Sequence, residues 1–198
     1  MTKPQAIVCR SHENSSVVDE LIENTEAEIF LYDRGNPPLS DFNSPRVNHI
    51  KQENFRREAF VYINHIVNNY DNLSDKILFT QAKISDHRHE QVNSLSDFFN
   101  ETPKNTNYHS FVTLSLDCND FGSPHHTGLK IKHFWENLFE TKCPKSLTFH
   151  PNGIFITSES AIKKHDLFFY KKILETFNSE NGTQIDYILE RLWGYILS

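Results

Sequence analysis

The stretch NFRREAFVYINHIVNNYDNLSDKILFTQ, residues 54–81, decides the fold. Ala59, Ile63, Ile66, Val67 and Tyr70 recur at spacings of three and four, the period of a helix that buries one stripe. Asn54 stands as the N-cap and Asp71-Asn72 as the stop, and KILFTQ follows as a buried strand. One feature is out of place. Glu58 suits the positive end of the helix dipole, whereas Arg56 and Arg57 do not. A helix start that adds guanidinium groups to its unpaired N–H groups is a place for an anion.

Upstream, QAIVC at 5–9 is apolar and β-prone and runs into the polar loop RSHEN. SSVVDELIEN reads as a helix capped by Ser15 or Ser16, with Val17, Leu21 and Ile22 facing inward. EIFLY at 28–32 is a second strand, ending at Asp33 and a turn rich in Gly and Pro, and 36–53 reads as loop. This alternation predicts strands at 5–9, 28–32 and 76–80, side by side and parallel in one sheet flanked by helices. Such sheets bind ligands at the carboxyl ends of their strands. Arg10, Asp33 and Gln81 each lie just past a strand end.

Downstream the pattern is less regular. SLSDFFNE predicts a helix capped by Ser94 or Ser96, HSFVTLSLD a strand, and CNDFGSPHHTG a polar loop. IKHFWENLFE and SAIKKHDLFFYKKILETF read as amphipathic helices, with SLTFHPNGIFITS as a hairpin around Pro151-Asn152-Gly153. IDYILERLWGYIL closes the chain as an apolar helix interrupted by the adjacent pair Glu190 and Arg191. Trp135, Trp193, Phe168, Phe169 and Tyr170 fall at helical spacings and read as core. With no repeat, low-complexity tract or linker, residues 1–198 read as one domain.

The balance of 20 basic against 26 acidic residues gives no whole-chain field for nucleic acid or an anionic membrane. Three cysteines, Cys9, Cys118 and Cys143, without CxxC spacing, read as reduced thiols. The first ten residues carry an apolar run too short for a signal peptide, and no run approaches a membrane span. The expectation is a soluble cytoplasmic protein with no integral membrane segment.

The order of these pieces resembles the DUF3431 family of glycosyltransferase-like proteins, of the GT-A fold class. The resemblance starts with AIVCRSHEN and FLYDRGN. It continues through Asn54, Arg57, Glu58, Tyr70 to Leu73, Phe79 and Gln81. DFGSPHHTGL, NGIFITSESAI, FYKKIL and ERLWGYIL complete it. It implies an α/β, Rossmann-like, mainly parallel sheet, and transfer of a sugar from a nucleotide-sugar donor to a glycan or other acceptor. One departure bears on metal. Where the family carries Gly-Asp-Pro-x-Asp-His, this chain has QAKISDH, so Lys83 replaces an acid while Asp86 and His87 remain.

Such a transfer needs the leaving diphosphate neutralised and a base for the acceptor's proton. Arg10, Arg57 and Lys83 are candidates for the first task, Asp120 and then Asp86 for the second. The resemblance implies Mn²⁺ or Mg²⁺; Lys83 favours metal independence, and Asp86 with His87 is the opposing ligand set. The GT-A resemblance implies that Asp33 stands where an acid meets base or ribose; the other reading is an Asx turn before Arg34-Gly35. Glu58, Gln81, His126, Glu190 and Arg191 complete the substrate-binding set, the last two because charge in an apolar helix must be paired or used. The alternatives are a non-catalytic carbohydrate- or nucleotide-binding relative, or a metal-dependent hydrolase built on the Asp/His clusters.

Overall fold

The computed structural model describes residues 2–84, 94–123, 126–178 and 182–197. The runs that read as buried strands form the centre of a six-stranded sheet. β1 (Gln5–Arg10) lies between β2 (Glu28–Asp33) and β4 (Ile77–Gln81), parallel to both. β3 (Val47–Lys51) adds a parallel edge strand beside β2. The sequence reads as loop there, because only two of the five residues of VNHIK are apolar and the strand is partly exposed.

Beyond β4 the sheet turns antiparallel. Naming in chain order β5 (Tyr108–Ser110), β6 (Leu114–Asp117), β7 (Gly122–Ser123), β8 (His126–Thr127), β9 (Ser146–Phe149) and β10 (Phe155–Thr157), the order is β3-β2-β1-β4-β10-β5. HSFVTLSLD is therefore not one strand. It divides into β5, in the main sheet, and β6, which pairs with β9 in a separate two-stranded sheet. The hairpin expected at Pro151-Asn152-Gly153 is likewise absent, since β9 pairs with β6 and β10 inserts between β4 and β5. A strand pairing depends on a distant partner, which a local turn signal does not encode.

Helices cover both faces, which is why AIVC and ILF are apolar on every residue. Alternate residues Ala6, Val8, Ile29, Leu31 and Leu78 pack with α1 (Ser16–Asn24) and α3 (Leu95–Glu101). Ile7, Cys9 and Phe79 pack on the other face, in a core shared with α2 (Glu58–Asn69), α4 (Ile131–Phe139), α6 (Leu167–Thr176) and α7 (Gly182–Ile196). The run SAIKKHDLFF is broken: α5 (Glu159–Ile162) ends at Lys163, and Asp166 restarts the chain as N-cap of α6 by accepting from the Phe169 N–H at 2.9 Å. That break turns Phe168 outward, 73% exposed, against the expectation of core. Trp135, Tyr170 and Trp193 are buried as expected.

The capping expectations hold in part. Ser94 caps α3, accepting from the Asp97 N–H, whereas Ser15 holds the N-cap position of α1 without a side-chain hydrogen bond to the first turn. Asn54 lies three residues too early for an N-cap, because α2 starts at Glu58 with Arg57 in that position. The cysteine reading also needs correction. Cys118 and Cys143, beside paired β6 and β9, are joined in a disulfide with Cα atoms 6.3 Å apart, and only Cys9 is a free thiol. Among the described residues, no helix is long and apolar enough to cross a membrane.

Candidate functional site

The chain leaves β1 through α1 toward β2 and β3, then returns through α2 to β4 on the other side of β1. The strand order therefore reverses between β1 and β4. In open α/β sheets, that reversal opens a crevice outside the carboxyl ends of the two strands. A cleft of about 440 Å³ occupies this position, lined by His12, Glu13, Asn14 and Ser16 after β1 and by Ala82, Lys83 and Ile84 after β4. The first turn of α1 forms one wall. Glu13 is already committed, accepting from the N–H groups of Ser11 at 2.6 Å and His12 at 2.9 Å. Glu20 accepts from the Ser96 N–H at 2.9 Å. Lys83 stands exposed at the cleft wall.

Arg10 and Asp33, at the ends of β1 and β2, turn away from solvent and meet each other at 2.5 Å. Asp33 is 1% exposed, and its oxygens also accept from Gly35 N–H at 3.0 Å, Leu39 N–H at 2.7 Å and His49 Nε2 at 3.0 Å. Burial alone would raise this carboxyl. The Arg10 guanidinium and the remaining donors outweigh it and hold the pKa down to about 2. The bond from Gly35 closes the Asx turn that sequence offered as the other reading of Asp33. Glycine is required there, since a Cβ on Gly35 would stand 1.6 Å from Arg10 Nη1. Arg10 also donates from Nε to the Glu13 carbonyl at 2.6 Å, tying the loop after β1 to the loop after β2.

The start of α2 faces the same sheet edge, which answers where its arginines go. Arg56, held at φ +59°, donates from Nη2 to the Phe177 carbonyl at 2.6 Å, at the carboxyl end of α6 where a cation belongs. Arg34 donates to the Arg56 carbonyl at 2.6 Å and fixes this turn. Arg57 extends outward, its side chain 53% exposed, with Nε 3.7 Å from Glu58 Oε2 and its guanidinium 5.1 Å above the Tyr187 ring. The His126 ring stacks on the other part of this group, 4.0 Å from Tyr187, so the β7–β8 ladder lies against α7 beside Arg57.

Behind Arg57 lies a set of carboxylates. Glu58 is 15% exposed, and burial raises its pKa. Gly153, with φ +61°, brings its backbone against it: a Cβ there would lie 3.4 Å from Glu58 Cγ and 3.7 Å from Gln81 Nε2. Gln81 donates to the Asn152 carbonyl at 3.0 Å, and Tyr62 Oη donates to the Gly153 carbonyl at 3.0 Å. Glu190 accepts from the Asn152 N–H at 2.9 Å and pairs with Arg191, whose guanidinium also covers the Phe149 ring. Arg191 thus turns inward, while Glu190 reaches the same 151–153 turn as Gln81. The structure brings Arg57, Glu58, Gln81, His126 and Glu190 to one edge.

Asp186 belongs to this set and escaped the sequence reading. It is 4% exposed and accepts from the Arg57 N–H at 3.2 Å. Burial, then the nearby Glu58 charge, pushes its pKa up to about 7. Its signal was present: Asp186 precedes Glu190 by one helical turn in an otherwise apolar helix, so both lie near one face. Asp120 stands apart, accepting from the His133 N–H at 2.9 Å near the start of α4. Asp86 and His87 lie outside the described residues. Among the described residues, no group of three or more His, Cys, Asp or Glu side chains is arranged to hold a metal ion.

A family model described as a protein of unknown function, DUF3431, matches residues 7–198, nearly the whole chain. No curated protein matches.

Proposed function

Starting from a chain that belongs to the DUF3431 family, we propose that it binds a nucleotide-sugar donor at the β1/β4 crevice and transfers the sugar to a hydroxyl acceptor. The observation that carries this reading is the coincidence of the strand-order reversal with a cleft bounded by the first turn of α1 and by Lys83. The first turn of a helix and an ammonium group both favour the charge of a diphosphate.

In this reading the bond from the sugar's anomeric carbon to the diphosphate oxygen breaks and a bond to the acceptor oxygen forms. Lys83 and Arg57 stabilise the charge gathering on the departing diphosphate. The acceptor's proton goes to Glu58, a largely buried carboxylate that burial makes more basic than a solvated glutamate. We assign this to Glu58 rather than Asp120, whose carboxylate is engaged at the start of α4. Gln81, Glu190 and His126 orient the acceptor, while Asp33 and Arg10 brace the two loops that frame the crevice. A divalent cation, when present, would supply further neutralisation of the diphosphate. The described residues do not assemble a ligand set for one, and no step here depends on it.

The test is a thermal-shift panel of nucleotide sugars and free nucleotides, with and without Mn²⁺, followed by product analysis for donors that stabilise. Stabilisation by one donor with turnover supports transfer. Stabilisation without turnover over any acceptor supports a binding protein instead, and no stabilisation by any nucleotide overturns both.

A further inference from the structure

A second concave site lies away from the crevice, where α4, α6 and α7 converge. It is a cleft of about 260 Å³ with a floor of Phe134, Leu138, Ile185 and Ile188 and a rim carrying Lys130 and Lys172. The volume exceeds the roughly 150 Å³ of an engineered apolar cavity that admits benzene. Its lining includes two lysines and His133 but no carboxylate. Asn137, Thr176 and Gln184 complete the lining, too few polar groups over this apolar floor to satisfy the hydroxyls of a sugar or a nucleotide. The lysine rim selects against a cationic guest. We propose that this cleft binds the tail of a single-chain anionic amphiphile, with its carboxylate or phosphate head held by Lys130 and Lys172.

The rim suits an exchangeable head. Lys130 is exposed at the N-terminal boundary of α4. Lys172 donates to the Asn137 carbonyl at 2.7 Å and lies 3.6 Å from the carboxylate of Glu140, a side chain 81% exposed. Glu140 thus occupies, from the solvent side, the place an anionic head would take. The tail gains from leaving water against Ile185 and Ile188, which are 6% and 2% exposed. A long amphiphile would stabilise the protein more than a short one, because each buried methylene adds to the gain.

The experiment titrates the full chain with decyl phosphate, hexyl phosphate, decanol and decyltrimethylammonium below their micelle concentrations, by calorimetry and thermal shift. Decyl phosphate should bind one per chain, at least tenfold tighter than each of the other three. The double variant Lys130→Glu, Lys172→Glu, both at the surface rim, should keep its circular dichroism and lose tenfold or more of the affinity. Equal binding of the cationic amphiphile, equal binding of hexyl and decyl phosphate, or an unchanged double variant would each overturn the assignment. Variants of Arg57 or Glu58 should leave this affinity unchanged, so failure here and failure of the transferase reading are separable.

Discussion

The carboxylate of Asp186, on the final helix, accepts a hydrogen bond from the backbone N–H of Arg57, 129 residues earlier. This contact explains how α2 tolerates two arginines at its start. Arg57 in the N-cap position offers no oxygen to the first turn, so an aspartate from α7 supplies one. Arg56 is occupied at the other kind of helix end, on the Phe177 carbonyl. The anion suggested by the sequence at this helix start is thus partly internal. Only the Arg57 guanidinium projects beyond it.

The first prediction concerns pH. Asp186 titrates near 7 in the folded chain and near the ordinary carboxylate value when unfolded. The folded state therefore holds a proton that the unfolded state releases between those values. This contribution to stability is complete below about pH 4 and is lost as pH rises toward 7. Asp186→Asn keeps an acceptor for the Arg57 N–H without the charge. It should flatten the decline and gain roughly 1–3 kcal/mol over the parent at pH 8. Urea denaturation from pH 4 to 8 measures it, and parallel profiles would show that the buried carboxyl carries no such cost.

Asp33 has the opposite sign. Its folded pKa, about 2, lies below the unfolded value, so its contribution is present above about pH 4 and disappears as pH falls toward 2. Asp33→Asn leaves the buried Arg10 guanidinium without its counter-charge. The expected loss is about 3–5 kcal/mol at pH 7, shrinking near pH 2. A loss below about 1 kcal/mol at pH 7 would mean that Arg10 finds another partner.

How much of this was legible follows from how local each signal is. The three parallel strands showed themselves because both faces are buried and their residues are apolar in unbroken runs. β3 did not, because an edge strand with one partner needs little apolar character. The true pairings of β9 and β10 depend on β6 and β4, tens of residues away, and the loop between them looked like any hairpin turn. In the candidate site, Arg57, Glu58 and Gln81 were visible as polar residues at element ends. His49, which holds Asp33, was invisible once β3 was taken for loop. Asp186 was hidden by neither cause. Its helical spacing from Glu190 is readable, but the adjacent Glu190-Arg191 pair is the stronger local signal of charge in an apolar helix.

Two substitutions separate binding from transfer at the proposed crevice. Arg57→Ala removes a half-exposed side chain whose contacts are the Glu58 carboxylate and the Tyr187 ring, so the fold should persist. Charge-assisted contacts of this kind are worth about 1.5–3 kcal/mol. Donor affinity or turnover should therefore fall by roughly tenfold or more. Glu58→Gln should keep donor binding within a few-fold while turnover falls by roughly a hundredfold or more. Full activity in a folded Glu58→Gln protein would remove the proton acceptor from the scheme.

The last prediction counts thiols. With Cys118 and Cys143 joined, the unfolded, unreduced chain should show one reactive thiol, and three after reduction. In the folded chain even that one should be silent, because burial pushes the Cys9 pKa up to about 12 and keeps it from forming thiolate. Joining residues 25 apart restricts the unfolded chain, so the double variant Cys118→Ser, Cys143→Ser should lose about 2–4 kcal/mol. The loss should centre on the β6–β9 sheet, seen as faster amide exchange there than in β1 or β4. The same count bears on where the protein works. Disulfides persist in oxidising compartments and are rare where glutathione keeps thiols reduced. Three thiols in protein taken from its native compartment, unfolded under alkylating conditions, would return Cys118 and Cys143 to the reduced state expected of a cytoplasmic chain. One thiol would place it where oxidation is maintained.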